Sequence, residues 1–542
     1  MVIPPQMIQE LEEALKKERT FQRLWDTAAA WLSIAEQSQE FQDLQRSIEL
    51  FRLASQKKKE HPPFLLSFGE ALLLFGSFSG DPAYVREGLE ILRQAIQGKE
   101  AKAWLPFAQG HKLLYDLSGN REDFERADSV FQRAIIAVPE HGKLWLHWGL
   151  MFMESGWRRR QLSEIEIALE KFTSLKMEEC SRPLVTAYLG EGLALLGLFL
   201  DDLKLIHDGK EKVVSFLHEH DDYPELLLAS GMIQLIEGLY FQDANHFATA
   251  VSFFHKGLEK NSQDMRCSHA LFQAHLAWGI TTQDPNSLLD ACEAIERLTR
   301  LRPFCSIHWI EWGTTLLRLC QLEEDRLEQQ AICEEAVHKF RKAIELKGDL
   351  EAEYQLGSTL DLLGDITGVE EYFEEAIEVL SDLHFRIPDD LQVAFHLGMA
   401  LSHQGEIADN VELLFESVRV FEEVIAKDPE DEEAFCHLGY TQLLLSESTY
   451  DENHPEKSRS LRSVAEANLM KALSLGSTET NYHLACLYSL SGLTGRALEY
   501  LRRADKVGVM PNEEELQHDH WLENLRKTEG FVDFMEERKR NG

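Results

Sequence analysis

Small residues recur along this chain at a nearly constant interval, and that recurrence leaves few folds open. One register passes through Ala28, Gly69, Ala108, Gly149, Gly190, Gly231, Phe272, Gly313, Gly357, Gly398, Gly439 and Ala485. Successive spacings are 41, 39, 41, 41, 41, 41, 41, 44, 41, 41 and 46 residues, and an apolar or aromatic residue usually stands just before. The clearest cases are Trp145–Gly149 and Trp309–Gly313. A second helical pattern follows each small residue, as in Ala127, Phe131 and Ala134, or Ala250, Phe254 and Gly257, or Ala336, Phe340 and Ala343, or Ala497, Leu501 and Ala504. Four of these stretches end on Pro139, Pro303, Pro388 and Pro429, where proline removes a donor and stops the helix. The unit reads helix, turn, helix, stop. One such pair cannot bury its own apolar face, so neighbours must stack into a continuous core.

The pattern resembles the tetratricopeptide repeat (TPR) family: an aromatic, then Leu-Gly, then a second helix with Ala, a large apolar residue and Ala, closing on Pro. The match runs over about residues 21 to 507, with departures at Phe272 and at Thr27–Ala28, where Leu-Gly would stand. The resemblance implies an all-α, right-handed superhelical solenoid of about twelve helix-turn-helix repeats. It divides the chain into an N-terminal capping helix (1–20), repeats one to eight (21–348), acidic repeats nine to twelve (349–508) and a C-terminal capping segment (509–542). Within that last segment Trp521, Leu522, Leu525, Phe531, Phe534 and Met535 fall at helical spacing.

Most repeats depart from the family in one consistent way. From Gly149 to Ala168, and from Gly398 to Ser417, is 19 residues, against 12 from Ala485 to Ala497 in the last repeat. Seven extra residues shared between two antiparallel helices is close to one turn each, at about 3.6 residues per turn. The spacing therefore predicts lengthened helical pairs. It also predicts an exposed loop over Ser446–Ser458, which is polar and contains Pro455.

Composition narrows the function. The 542 residues carry 93 acidic and 55 basic side chains, a formal charge of -38, which disfavours nucleic acid and anionic membrane surfaces. The eight cysteines, Cys180 among them, form no CxxC pair, which predicts reduced thiols and a cytoplasmic protein. The N-terminus lacks the basic and apolar stretches of a secretory signal, leaving only a non-classical export route. The longest apolar run, Leu184–Leu200, is broken by Glu191 and is shorter than the roughly 20 residues that span a bilayer, so it reads as a helix buried on two sides.

No Walker loop, GxGxxG, HExxH or GxSxG motif occurs, so the sequence predicts no enzyme and no catalytic or cofactor-binding residue. The clusters His218, His220, Asp221, Asp222 and His518, Asp519, His520 lie near helix ends and lack four converging ligands, so no metal is expected. Lys57–Lys59 and Arg158–Arg160 read as solvated residues of turns.

Surface recognition is what remains. In the TPR family the first helix of each repeat lines the concave face, and the residues before Leu-Gly point toward a bound peptide. The resemblance places Tyr354, Phe395, Cys436 and Tyr482 in one row and Gln355, His396, His437 and His483 in the next. Their counterparts in the front half, Leu66, Leu105, Leu146 and Leu228, read as core, so recognition chemistry is expected in the back half. No Lys or Arg occupies the first row, which argues against the family's clamp for a terminal carboxylate. Residues 349 to 450 hold 25 acidic side chains against Arg386, Arg419 and Lys427, a net of 3 minus 25, or -22. The expectation is a scaffold that binds protein segments along its groove, including a basic segment of a partner. A chaperone or secretion-assisting protein sheathing a client is the alternative.

Overall fold

The computed structural model describes residues 5–38, 41–58, 61–175, 181–218, 223–450 and 456–541. Lys59, Cys180, His220, Asp221, Asp222 and residues 451–455 lie outside that set. Every regular element among the described residues is a helix. After α1 (Pro5–Lys17) come α2 (Phe21–Ser38) with α3 (Phe41–Ser55), α4 (Pro62–Ser79) with α5 (Pro82–Gln97), and α6 (Trp104–Ser118) with α7 (Arg121–Ala137). Next are α8 (Gly142–Arg159) with α9 (Leu162–Thr173), α10 (Arg182–Leu200) with α11 (Leu203–Leu217), α12 (Pro224–Phe241) with α13 (Ala244–Lys260), and α14 (Met265–Thr282) with α15 (Pro285–Leu301). Then follow α16 (Ser306–Cys320) and α17 (Arg326–Lys347). The remaining pairs are α18 (Leu350–Thr367) with α19 (Glu370–Arg386), α20 (Leu391–Ile407) with α21 (Val411–Lys427), α22 (Glu432–Ser448) with α23 (Glu456–Leu475), and α24 (Thr480–Leu490) with α25 (Thr494–Val507). Three short helices close the chain: α26 (Glu513–His518), α27 (Glu523–Arg526) and α28 (Glu529–Asn541).

Local chemistry sets where these helices begin and end. Asp202, Asp243 and Asp284, spaced by 41, accept backbone N–H bonds at the starts of α11, α13 and α15. Asp349, Asp390 and Asp431 do the same for α18, α20 and α22, again 41 apart. Each such cap contributes about 1 kcal/mol. First helices end on residues with positive φ: Gly80, Gly119, Arg160, Asp201, Gln242 and Gln283. Part of the acidic charge of residues 349 to 450 is thus committed to capping.

Close approach of the paired helices explains the small-residue register. A Cβ built on Gly149 would lie 2.5 Å from the Phe172 ring, and one on Gly357 would lie 2.6 Å from Leu380. Only hydrogen fits there, and the large residue 23 positions on fills the space beside it. A second contact repeats this one turn-pair later. Gly156 faces Ile165, Gly238 faces Phe247, Gly364 faces Phe373 and Gly405 faces Leu414, each seven residues beyond the first small residue. Those contacts lie in the added turns. Helices α18 to α21 run 17 or 18 residues, whereas α24 and α25 run 11 and 14.

Two compact units result: Met1–Glu323 with Lys342–Lys347, and Glu324–Arg341 with Gly348–Gly542. Helix α17 contributes to both units. Unit 1 includes α4 and α10, which among the described residues are the two helices long and apolar enough to cross a membrane, with mean hydropathy 1.2 and 1.6. Both pack inside the unit: α4 on α5, and α10 on α9, α11 and α12. In unit 2, Trp521, Leu522, Leu525, Phe531, Phe534 and Met535 are buried together with residues of α22 to α25. The segment after α25 therefore covers the end of that unit's core. Of the expected loop at Ser446–Ser458, Ser446–Ser448 end α22 and Glu456–Ser458 start α23, while residues 451–455 lie outside the described set.

Candidate functional site

Unit 2 brings the predicted rows together, but largely as packing between successive first helices. The Tyr354 hydroxyl lies 3.2 Å from His396 Nδ1, with the rings edge to face. Phe395 is only 8% exposed and packs edge to face on Phe421 and His437. Cys436, 2% exposed, has Sγ 3.5 Å from His483 Nδ1, and burial pushes its thiol up. Phe395 and Cys436 are therefore core residues and cannot serve as surface anchors, because each fills the interval to the next repeat. Gln355 is half-buried and donates to Glu351. Tyr482 donates its hydroxyl hydrogen to Asp519 Oδ2 at 2.5 Å, and Tyr440 packs against both His483 and Trp521. The terminal segment thus occupies the end of that face.

The charge state of these histidines follows burial. It pushes His437 down to about 3, with neighbouring histidines adding to the effect, and His483 to about 4, which favours the neutral form of both. His403 differs. Burial opposes its charge, but a 3.0 Å contact with Asp361 Oδ1, helped by Asp365 and Glu406, raises its pKa.

A second site, in unit 1, is one the sequence reading assigned to core. First helices α4, α6, α8, α10, α12 and α14 surround a cavity of about 710 Å³. A ladder of charge crosses it. Lys112 Nζ sits 2.8 Å from Asp116 Oδ2 and 2.6 Å from Glu154 Oε2. Glu154 Oε1 lies 3.1 Å from Arg266 Nε, and Arg266 in turn reaches Glu191 at 3.5 Å and lies over the Tyr188 ring. Burial would raise the Glu154 carboxyl, but Lys112 and Arg266 outweigh it and hold it low. Burial raises Glu191, whose Oε2 has no partner. Gln109 and His147 join side chains at 2.8 Å, and His269 meets Glu311 at 2.9 Å.

Two guanidiniums complete the lining. Arg302 donates to Ser77 Oγ at 3.0 Å, and its Nε is buried without a partner. Arg158 is exposed, as expected, and it also borders the cavity with its guanidinium over the Tyr115 ring. At the other flank Glu70 is raised to about 7, by burial first and then by Glu36. The turn after α15 meets α4 and α6, with Phe304 N donating to Ser79 O at 3.3 Å. A Cβ at Gly119 would lie 3.2 Å from Ile307. One circuit of helices therefore closes on itself around the cavity. Among the described residues no group of three His, Cys, Asp or Glu is placed to hold a metal ion.

Stacked antiparallel helix pairs, packed small residue against large and presenting first helices to an inner cavity, define an all-α, TPR-like helical-repeat protein. No protein-family model and no curated protein matches the chain. Among solved structures, a tetratricopeptide repeat protein from Parabacteroides merdae is similar at 13% identity, covering 54% of this chain and 96% of that one, with a TM-score of 0.37. TTC0263, a thermophilic TPR protein of Thermus thermophilus, is similar at 17% identity over 39% of this chain and 99% of its own, TM-score 0.27. MamA from Desulfovibrio magneticus is similar at 16% identity over 39% and 98%, TM-score 0.28.

Proposed function

We propose that this chain is a non-catalytic interaction scaffold that holds an extended segment of a partner protein in the cavity of unit 1. The observation that carries the reading is the lining itself. First helices offer half-buried apolar side chains, such as Leu74, Leu113 and Trp157, beside fixed charges at Lys112, Glu154 and Arg266. Such a mixture suits a polypeptide, whose side chains alternate in character and whose backbone needs hydrogen-bond partners. Unpartnered buried atoms at Glu191 Oε2 and His308 Nδ1 support an occupant, since buried polar groups are costly when unsatisfied. The free thiols of Cys267, Cys305, Cys436 and Cys486 fit a reducing, cytoplasmic setting.

The acidic surface of residues 349 to 450 supports attraction of a basic partner segment to unit 2, separately from the cavity. Affinity purification of the full chain, alongside a Lys112→Met and Arg266→Met double variant, tests the reading. Stoichiometric partners lost from the variant are expected. Capture of unfolded or newly made proteins instead would favour a chaperone, and an identical partner set from both chains would overturn the assignment to the cavity.

A further inference from the structure

Of the Lys and Arg side chains lining the unit 1 cavity, two are matched by carboxylates and two are not. Lys112 and Arg266 share Glu154 and bind Asp116 and Glu191 besides, while Glu311 is taken by His269. Arg158 and Arg302 have no carboxylate within 4.0 Å among the described residues. They come from distant parts of the chain, the end of α8 and the turn after α15. Closure of the circuit onto α4 and α6 places both on one cavity. Beside them lies His308, 7% exposed, with Nδ1 unpartnered.

We propose that Arg158 and Arg302 form an anion subsite of this cavity that receives a carboxylate side chain from an extended protein segment. The inference rests on the scaffold reading above and names the chemistry of its occupant. The Nε of Arg302 is buried without a partner, which is costly, and an incoming anion relieves that cost while Arg158 meets it from the exposed rim. The planar fork of arginine matches a carboxylate through two parallel N–H bonds. A singly charged group fits better than a phosphate dianion, because Asp116 and Glu154 act on both guanidiniums at longer range and would repel the second charge. Neighbouring Trp157 and Ile307 supply apolar contact for the residues on either side. The subsite is distinct from the family's clamp, whose row holds no Lys or Arg here.

A random peptide library panned on the full chain tests the subsite. Selected peptides should share an Asp or Glu at one recurrent position, and replacing that acid by its amide should weaken binding about tenfold. Arg158→Gln should abolish the difference between acid and amide, and it removes no intramolecular hydrogen bond, so the fold is kept; circular dichroism verifies this. Arg302→Lys, which retains the charge but not the fork, should reduce the difference. Equal binding of acid and amide, or a preference that survives Arg158→Gln, would overturn the subsite while leaving the scaffold reading intact. Displacement of the peptides by inorganic phosphate more strongly than by acetate at equal ionic strength would overturn the carboxylate assignment. Recovery of no peptide at all would overturn the scaffold reading, and the subsite with it.

Discussion

At Gly149 a single methyl group would meet the Phe172 ring at 2.5 Å, whereas at Gly495 it would meet nothing within 4 Å. Gly149→Ala should therefore destabilise unit 1 by about 1–3 kcal/mol through overpacking. Gly495→Ala should be neutral or stabilise α25 by up to about 1 kcal/mol through helix propensity. Urea midpoints separate the two, and equal shifts would contradict the packing account. Removing Lys112 has a different consequence, because Asp116 and Glu154 are left facing each other in a buried site. Lys112→Met should cost about 3–5 kcal/mol, and restoration by a second change, Glu154→Gln, would show the cost to be electrostatic. Glu70 gives a pH signature. Its folded value near 7 stands above the ordinary 4.5, so its favourable contribution is full below 4.5 and is lost as pH rises through 7. The Glu70→Gln variant should match the parent at pH 4 and exceed its thermal midpoint above pH 7; a constant offset would argue against a perturbed carboxyl. The Gly–Phe register was legible in the sequence because it is local and periodic. The charged cavity was not, although Glu191, alone in an apolar helix, was its visible trace.

Helix length was readable for the same reason, since the seven extra residues fall between two fixed packing positions. The structure adds what holds the extra turn: a second glycine seven residues on, meeting Ile165, Phe247, Phe373 or Leu414. In the last pair the corresponding residue, Gly492, instead sits in the turn itself with φ +72°. That pair relies on the segment after it. Deleting residues 513–542 would expose Tyr482, Leu484 and Tyr488, which the segment helps to bury. Hydrogen exchange should then lose protection across α24 and α25 first, with α18 to α21 unchanged, because contacts in stacked repeats are between neighbours. Uniform loss across unit 2 would point to a single cooperative block. What the sequence rows could not reveal is which side chains turn inward. Tyr354 and Phe395 occupy equivalent positions, yet the first is half-buried and the second core, a difference set by the neighbouring repeat rather than by their own.

Across the whole molecule charge and connectivity are unevenly distributed. Because residues 349 to 450 hold -22 of the total -38, self-repulsion weighs on unit 2, and salt should relieve it. Unfolding followed at rising sodium chloride should show unit 2 gaining stability more than unit 1, and a common gain would mean that the acidic surface costs nothing. The seam in unit 1, where Phe304 N reaches Ser79 O and Arg302 reaches Ser77, bears on how a partner could enter. A strand enclosed by a closed circuit can arrive only by its free end or through a parted wall. On the scaffold reading proposed above, internal stretches of folded proteins would be barred by topology, and tails or chains still emerging would be admitted. Escape obeys the same restriction, so a bound segment would leave slowly even where each of its contacts is weak.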